Sequence, residues 1–196
     1  MIPILILAGG SSSRMQGRDK LLEDVDGLPL LRRQVVITAA TGQPVYVALP
    51  PDAERRREAI AGTDANILTV ADAAEGMSAT MRGAVAALPQ APAFMITLGD
   101  LISLETEDFN AVLDARTAQP DHLIWRGATE DGKPGHPILF DASLRGSFAN
   151  LNGDHGGEAI VKPLKAQTYL VALPDNRARF DLDTPAAWAA WRASRP

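Results

Sequence analysis

Apolar and polar positions along this chain follow two alternating rhythms. Short, nearly continuous apolar runs at residues 3–7, 44–49, 66–70, 93–98, 122–125, 136–140 and 167–173 read as strands. Among and after them, apolar residues recur every three or four positions at 30–40, 53–61, 79–88, 106–117 and 185–193, which predicts helices. Strands that alternate with helices predict βαβ units around a mainly parallel sheet. The expected fold is therefore α/β, with three layers in a single domain over 1–196, since no repeat, low-complexity tract or linker interrupts the pattern. The charged run Glu54, Arg55, Arg56, Arg57, Glu58 reads as a solvated helix face with internal ion pairs.

Composition narrows the setting. A chain of 196 residues, 46% hydrophobic and 22% charged, is large enough for one full core and ordinary for a soluble domain. It has no cysteine, which excludes disulfides, thiolate metal sites and a cysteine nucleophile. A formal net charge of −5 argues against a broad nucleic-acid footprint, so phosphate binding should be focal. The opening apolar run is about seven residues long without a basic leader, and no segment approaches a membrane span. These features predict a cytoplasmic protein with no membrane or nucleic-acid partner.

The first strand-like run stops at Gly9 and Gly10, followed by Ser11, Ser12, Ser13 and Arg14, with Lys20 shortly after. Glycines let backbone amides approach an anion closely, the serines add hydroxyl donors, and the two cations supply fixed charge, so the loop reads as a triphosphate cradle. It is not a Walker loop, because Lys20 follows Asp19 and no Ser or Thr comes next, and it lacks the spacing of a dinucleotide loop. Further on, the strand at 93–98 runs into Gly99 and Asp100, placing a carboxylate at a carboxyl edge, where open α/β sheets bind ligands. Near the other end, Asp181 and Asp183 stand two apart, on one side of an extended segment, ahead of Thr184 and Pro185, which suit a helix start.

From Leu7 to Lys20 the chain resembles, nearly residue for residue, the signature Leu-Ala-Gly-Gly-x-Ser-x-Arg-Met-Gly-x-x-x-Lys of the nucleotidyltransferase family that attaches a nucleotide to molybdopterin. Gln16 replaces the usual Gly. The resemblance implies a Rossmann-like nucleotidyltransferase fold, Mg²⁺ as cofactor and a nucleoside triphosphate held by Leu7, Ala8, Gly9, Gly10, Ser11, Ser13, Arg14 and Lys20. It also assigns Asp100 to the metal, within the family's Gly-Asp-Met/Gln-Pro motif, although Ile102 replaces the Pro. Asp183 is a candidate second ligand, in a segment similar to the family's Asp-x-Asp-Thr-Pro-Glu-Asp motif with Ala186 and Ala187 in place of the acidic pair. Gly76, Met77, Ser78 and Thr80 resemble the segment bordering base and ribose, with Ser78 open equally to a plain helix cap. Arg82 reads as reaching a phosphate or solvent.

Two further segments resemble the cytidylyltransferase branch and imply contacts to the pterin: Gly135, His136, Pro137, and the stretch from Leu151 to Gly157 that contains Asp154. Glu158 departs from this pattern, standing where an arginine is common, and His122 reads as structural. The implied function is transfer of a nucleoside monophosphate to a molybdopterin-type phosphate with release of pyrophosphate. Arg14, Lys20 and Asp100 are the implied catalytic groups, and a molybdoenzyme that receives the cofactor is an implied partner. The first motif matches the guanylyl form, whereas three later segments match the cytidylyl form, so CTP is expected ahead of GTP. Sugar- or polyol-phosphate nucleotidyl transfer, and a non-catalytic carrier of nucleotide or molybdenum cofactor, remain alternatives.

Overall fold

Four consecutive apolar residues, Ile4–Leu7, form strand β1, which is buried on both faces at the middle of the sheet. The structure, a computed structural model, describes residues 1–153 and 156–195. After β1 come the short ribbon β2 (Asp24–Val25) and β3 (Leu28–Pro29), helix α1 (Leu30–Ala39), β4 (Val45–Leu49), α2 (Glu54–Ala59), β5 (Asn66–Thr69) and α3 (Met77–Ala87). Next along the chain are β6 (Ala93–Leu98), α4 (Thr106–Ala118), β7 (Ile124–Ala128), β8 (Pro134–Asp141), the single turns α5 (Arg145–Phe148) and α6 (Glu158–Val161), β9 (Thr168–Ala172) and α7 (Pro185–Ala193).

Among the described residues, one seven-stranded sheet has the order β5-β4-β1-β6-β8-β7-β9. Its neighbours pair in parallel except β8, which is antiparallel to both β6 and β7. The sheet is thus mostly parallel, as the alternation predicts. Alternate residues of β1 face opposite layers: Leu5 and Leu7 pack with Met81, Ala84 and Val85 of α3, while Ile4 joins Phe109 and Val112 of α4 and Ile6 joins Leu31 and Val35 of α1. A strand covered on both sides has no polar face to show, which is why it reads as an unbroken apolar run.

Register fixes the site. Leu7 lies beside Leu98 and beside Ala48, so β1, β4 and β6 end along one edge. Because β8 runs the other way, with Ile138 opposite Ile96, its first residues Pro134, Gly135 and His136 come to that same edge. An antiparallel bridge between Leu101 and Asp181, with Ile102 N–H donating to Phe180 O at 3.1 Å, draws the segment before α7 alongside Asp100. Trp188 anchors this segment: its indole is 1% exposed and donates to Leu182 O at 2.9 Å.

Some boundaries differ from the pattern. β7 starts at Ile124, leaving His122 outside it, and continues to Ala128 through a register irregularity beyond Arg126. α3 begins at Met77 because Gly76, at φ 110°, ends the preceding turn in a conformation that disfavours side chains. At α7 the anticipated cap forms, with Thr184 Oγ1 accepting from Ala187 N at 3.2 Å and Pro185 in the first turn.

Candidate active site

The loop leaving β1 is held from below. Arg56, 7% exposed, donates from Nη1 to Ala8 O at 2.5 Å, from Nη2 to Gly10 O at 2.7 Å, and from Nε and Nη2 to the two oxygens of Asp19 at 2.6 and 3.0 Å. Asp19 in turn caps the turn that carries Lys20, accepting from Leu21 N at 3.0 Å. The charged run at 54–58 is therefore only in part a solvated face. Nothing in its local sequence marks the central arginine; the parallel pairing of β4 with β1 places α2 beneath the loop. Gln16 sits at φ 52°, ψ 48°, a left-handed conformation, which gives a physical reason for glycine at this point of the motif.

Lys20 projects into a cluster of carboxylates. Its Nζ lies 2.5 Å from Asp100 Oδ2 and 2.8 Å from Asp183 Oδ1, and Arg14 Nη2 lies 2.7 Å from Asp183 Oδ2. Burial alone would drive the Lys20 pKa down, but Asp100 and Asp183 outweigh it and hold the ammonium above its ordinary value. Asp183 is the converse: burial would raise its carboxyl, and Lys20 and Arg14 bring it below the usual range. Asp181, by contrast, is raised by burial and by its two acidic neighbours.

Oxygen atoms of Asp100, Asp181 and Asp183 all lie within 4.8 Å of one another. Asp100 Oδ1 is buried without a protein hydrogen-bond partner. A hard divalent cation takes oxygen donors of this kind, and Mg²⁺ in particular needs few carboxylates beside water and phosphate, so the donor set fits such an ion. Asp181 was not among the metal residues expected from the sequence. The bridge to Leu101 brings it in.

Two cavities flank the cluster. One, of about 380 Å³, is lined by Leu7, Gly9, Gly10, Ser11, Gly76, Met77, Thr80 and Asp100, joining most of the residues expected at the nucleotide. Five do not line it: Arg14 and Lys20 turn to Asp183 and Asp100, and Ala8, Ser13 and Ser78 lie elsewhere. Ala8 is 1% exposed, with its carbonyl turned to Arg56; Ser13 is exposed in the 3₁₀ turn Ser13–Met15. Ser78 is neither the cap nor a cavity residue, because it is 2% exposed and its Oγ meets Asn152 O at 3.4 Å and Gly156 N at 3.3 Å. Arg82 ties down the same loop by donating to Leu151 O at 2.9 Å. A neighbouring hollow of about 570 Å³, which sequence reasoning missed, lies across Gly9 and Gly10 against Pro50, Pro51, Asp52 and Arg56.

The second flanking cavity, about 510 Å³, contains Leu98, Leu101, Arg126, His136, Glu158, Arg179 and Asp181. Leu98 lines both flanking cavities, so they adjoin at the end of β6. His136 is half-buried, and desolvation by the surrounding protein, helped by the charge of Arg126, lowers its pKa to about 4. It is neutral at pH 7, with Nδ1 3.5 Å from Ile96 O. Arg126 donates to Gly135 O at 2.8 Å and to Glu158 at 2.7 Å. Asp154, expected at this side, lies outside the described residues.

Comparison with known proteins comes to the same architecture. Residues 4–169 match the family model of the MobA-like NTP transferase domain. No curated protein matches the sequence. Among solved structures, Rv0371c from Mycobacterium tuberculosis is similar at TM-score 0.84 with 24% identity over 98% of each chain. The same protein in complex with manganese gives 0.75 with 22% identity over 99% of each chain. A nucleotidyl transferase from Methanothermobacter gives 0.77 with 18% identity over 98% of this chain and 96% of its own. These structures share the fold.

Proposed function

The chain belongs to the MobA-like NTP transferase domain family, and from that premise we propose that it joins a nucleoside monophosphate, from CTP in preference to GTP, to the phosphate of a molybdopterin-type acceptor. Family membership makes nucleotidyl transfer its reaction and a nucleoside triphosphate its donor. The observation that carries the finer reading is the meeting of Lys20 with Asp100 and Asp183 between two adjoining cavities, one bounded by the glycine loop and the other by His136.

In this reading the triphosphate lies along Gly9, Gly10 and Ser11, whose amides bind its oxygens. An acceptor phosphate oxygen attacks the α-phosphorus in line, the bond from α-phosphorus to the bridging oxygen breaks, and its electrons leave with pyrophosphate. No side chain forms a covalent bond, so positioning and charge neutralisation carry the rate. Lys20 and Arg14 balance the β and γ phosphates and the departing pyrophosphate. Asp100, with Asp181 and Asp183, would hold the divalent cation, which would add charge neutralisation to the transfer; manganese in the Rv0371c complex supports such an ion here. Neutral His136 offers a hydrogen bond to the acceptor without adding charge.

Glu158 reverses the charge common in the cytidylyl branch and pairs with Arg126 in the acceptor-side cavity, so the pair adds no net positive charge for an acceptor phosphate. For the base, the segments around His136, Gly153 and Asp181 favour CTP, and the Leu7 to Gly10 motif favours GTP. A methyl group added at Gly9 would meet only Thr80 among the described residues, at 3.4 Å, so glycine there leaves room that admits a purine without requiring one.

The test is pyrophosphate release on mixing the protein, molybdopterin and each of the four triphosphates with Mg²⁺ or Mn²⁺. Release with CTP above GTP is expected. Turnover of a sugar or polyol phosphate in place of molybdopterin would overturn the acceptor, and triphosphate binding without any pyrophosphate would favour a carrier.

A further inference from the structure

The most exacting contacts around the loop come from a residue that meets neither cavity's chemistry directly. Four hydrogen bonds from Arg56 go to protein acceptors, two of them to a carboxylate and two to backbone carbonyls, which engages four of its five N–H groups. A guanidinium so occupied is poorly placed to bind a phosphate. It is well placed to shape what does.

We infer that Arg56 is a positioning residue for nucleotidyl transfer, setting from beneath the loop both the direction of the peptide groups that meet the triphosphate and the placement of Lys20. The inference rests on the proposed use of this loop as the phosphate cradle. In a trans peptide the C=O and the following N–H point in opposite directions. With Ala8 O and Gly10 O drawn onto Arg56, the N–H groups of Gly9 and Ser11 turn away from it, and among the described residues neither finds a protein acceptor. Two successive glycines do not hold such an arrangement by themselves, because they allow many backbone conformations. The guanidinium supplies the missing constraint.

Its second arm reaches the catalytic cation. Asp19 Oδ1, bound by Arg56, also accepts from Leu21 N at 3.0 Å and Ser12 Oγ at 3.4 Å, and Ser12 Oγ accepts from Lys20 N at 3.2 Å. The backbone on both sides of Lys20 is thereby tied to Arg56, with Lys20 Nζ meeting Asp100 at the far end. A lysine at 56 could not replace it: one ammonium cannot span a carboxylate bidentately and two carbonyls as well.

The experiment uses the full chain with Arg56→Lys, Asp19→Asn, the double variant, and Arg57→Gln as a control on the same helix. Each is titrated calorimetrically with CTP and with GTP in Mg²⁺, and amide hydrogen exchange is followed over residues 9–21. Arg56→Lys should bind whichever triphosphate the natural protein binds about tenfold or more weakly. Exchange should rise in residues 9–21 while the sheet stays protected, and the control should match the natural protein. The double variant should be no more than about twofold weaker than the worse single one, because both remove the same contact. Should Arg56→Lys fail to fold, Asp19→Asn carries the same expectation. Unchanged affinity in the Arg56 and Asp19 variants, an equal loss in the control, or additive losses would overturn the inference and leave the proposed function standing. If the natural protein binds no triphosphate at all, the proposed function fails and the inference falls with it.

Discussion

The Nζ of Lys20 and the Oδ2 of Asp100 stand 2.5 Å apart, joining the loop after β1 to the end of β6. The neighbouring strands make this possible: Leu7 and Leu98 are register partners, so the loops leaving the two strands emerge side by side. Function should depend on both members of the pair, in different ways.

Asp100→Asn keeps the side-chain volume and removes the charge. The fold should survive, as judged by circular dichroism, and turnover should fall on the order of a hundredfold or more, comparable to losing one preorganised charge contact. Near-normal kcat would end the assignment of Asp100 to the metal.

Lys20→Ala should weaken triphosphate binding more than monophosphate binding, since its charge is assigned to the distal phosphates. It also leaves Asp100, Asp181 and Asp183 without their central cation. Added Mg²⁺ or Mn²⁺ should therefore raise the melting temperature of this variant more than that of the natural protein. Equal weakening of tri- and monophosphate would place Lys20 elsewhere.

His136 gives a dependence on pH. Its pKa falls from 6.5 to about 4 on folding, so between those values the unfolded chain binds the extra proton and the native state does not. The contribution of the neutral ring is complete above pH 6.5 and is lost as pH falls towards 4, by up to about 3 kcal/mol. The stability gap between the natural protein and His136→Gln, read from urea unfolding, should narrow over that range. A gap that stays constant or widens would contradict a histidine held neutral in the folded state.

Gly9→Ala probes the base. The added methyl would meet Thr80 Oγ1 at 3.4 Å and Cγ2 at 3.5 Å and nothing else within 4 Å, so the fold should tolerate it. CTP affinity should change little, while GTP, with the larger base, should lose more. Equal losses for both nucleotides would remove Gly9 from base selection.

Much of this arrangement was legible in the sequence wherever a local pattern encodes it. Residues 93–98 and 185–193 coincide with β6 and α7, because an unbroken apolar run and a Thr-Pro start are local signals. Gly9, Gly10, Ser11, Asp100 and Asp183 were visible for the same reason, being loops at strand or helix ends. The features that escaped depend on neighbours distant in sequence. Arg56 is indistinguishable from Arg55 and Arg57 until β4 is laid beside β1, and Asp181 joins the acidic cluster only through its bridge to Leu101. Ser78 suggested a cap or a ligand contact, yet Gly76 caps α3 and Ser78 packs against the loop after Leu151. The reversed course of β8, which alone brings His136 to the active edge, is likewise a property of the sheet.

Where an isotopic label ends up distinguishes nucleotidyl transfer from hydrolysis and from simple binding. With CTP labelled at the α-phosphorus, molybdopterin and Mg²⁺, the label should appear in the pterin product, label placed instead at the γ-phosphorus should appear in pyrophosphate, and Asp100→Asn should suppress both. Release of the α label as free CMP, or its retention in CTP while molybdopterin stays unmodified, would contradict nucleotidyl transfer.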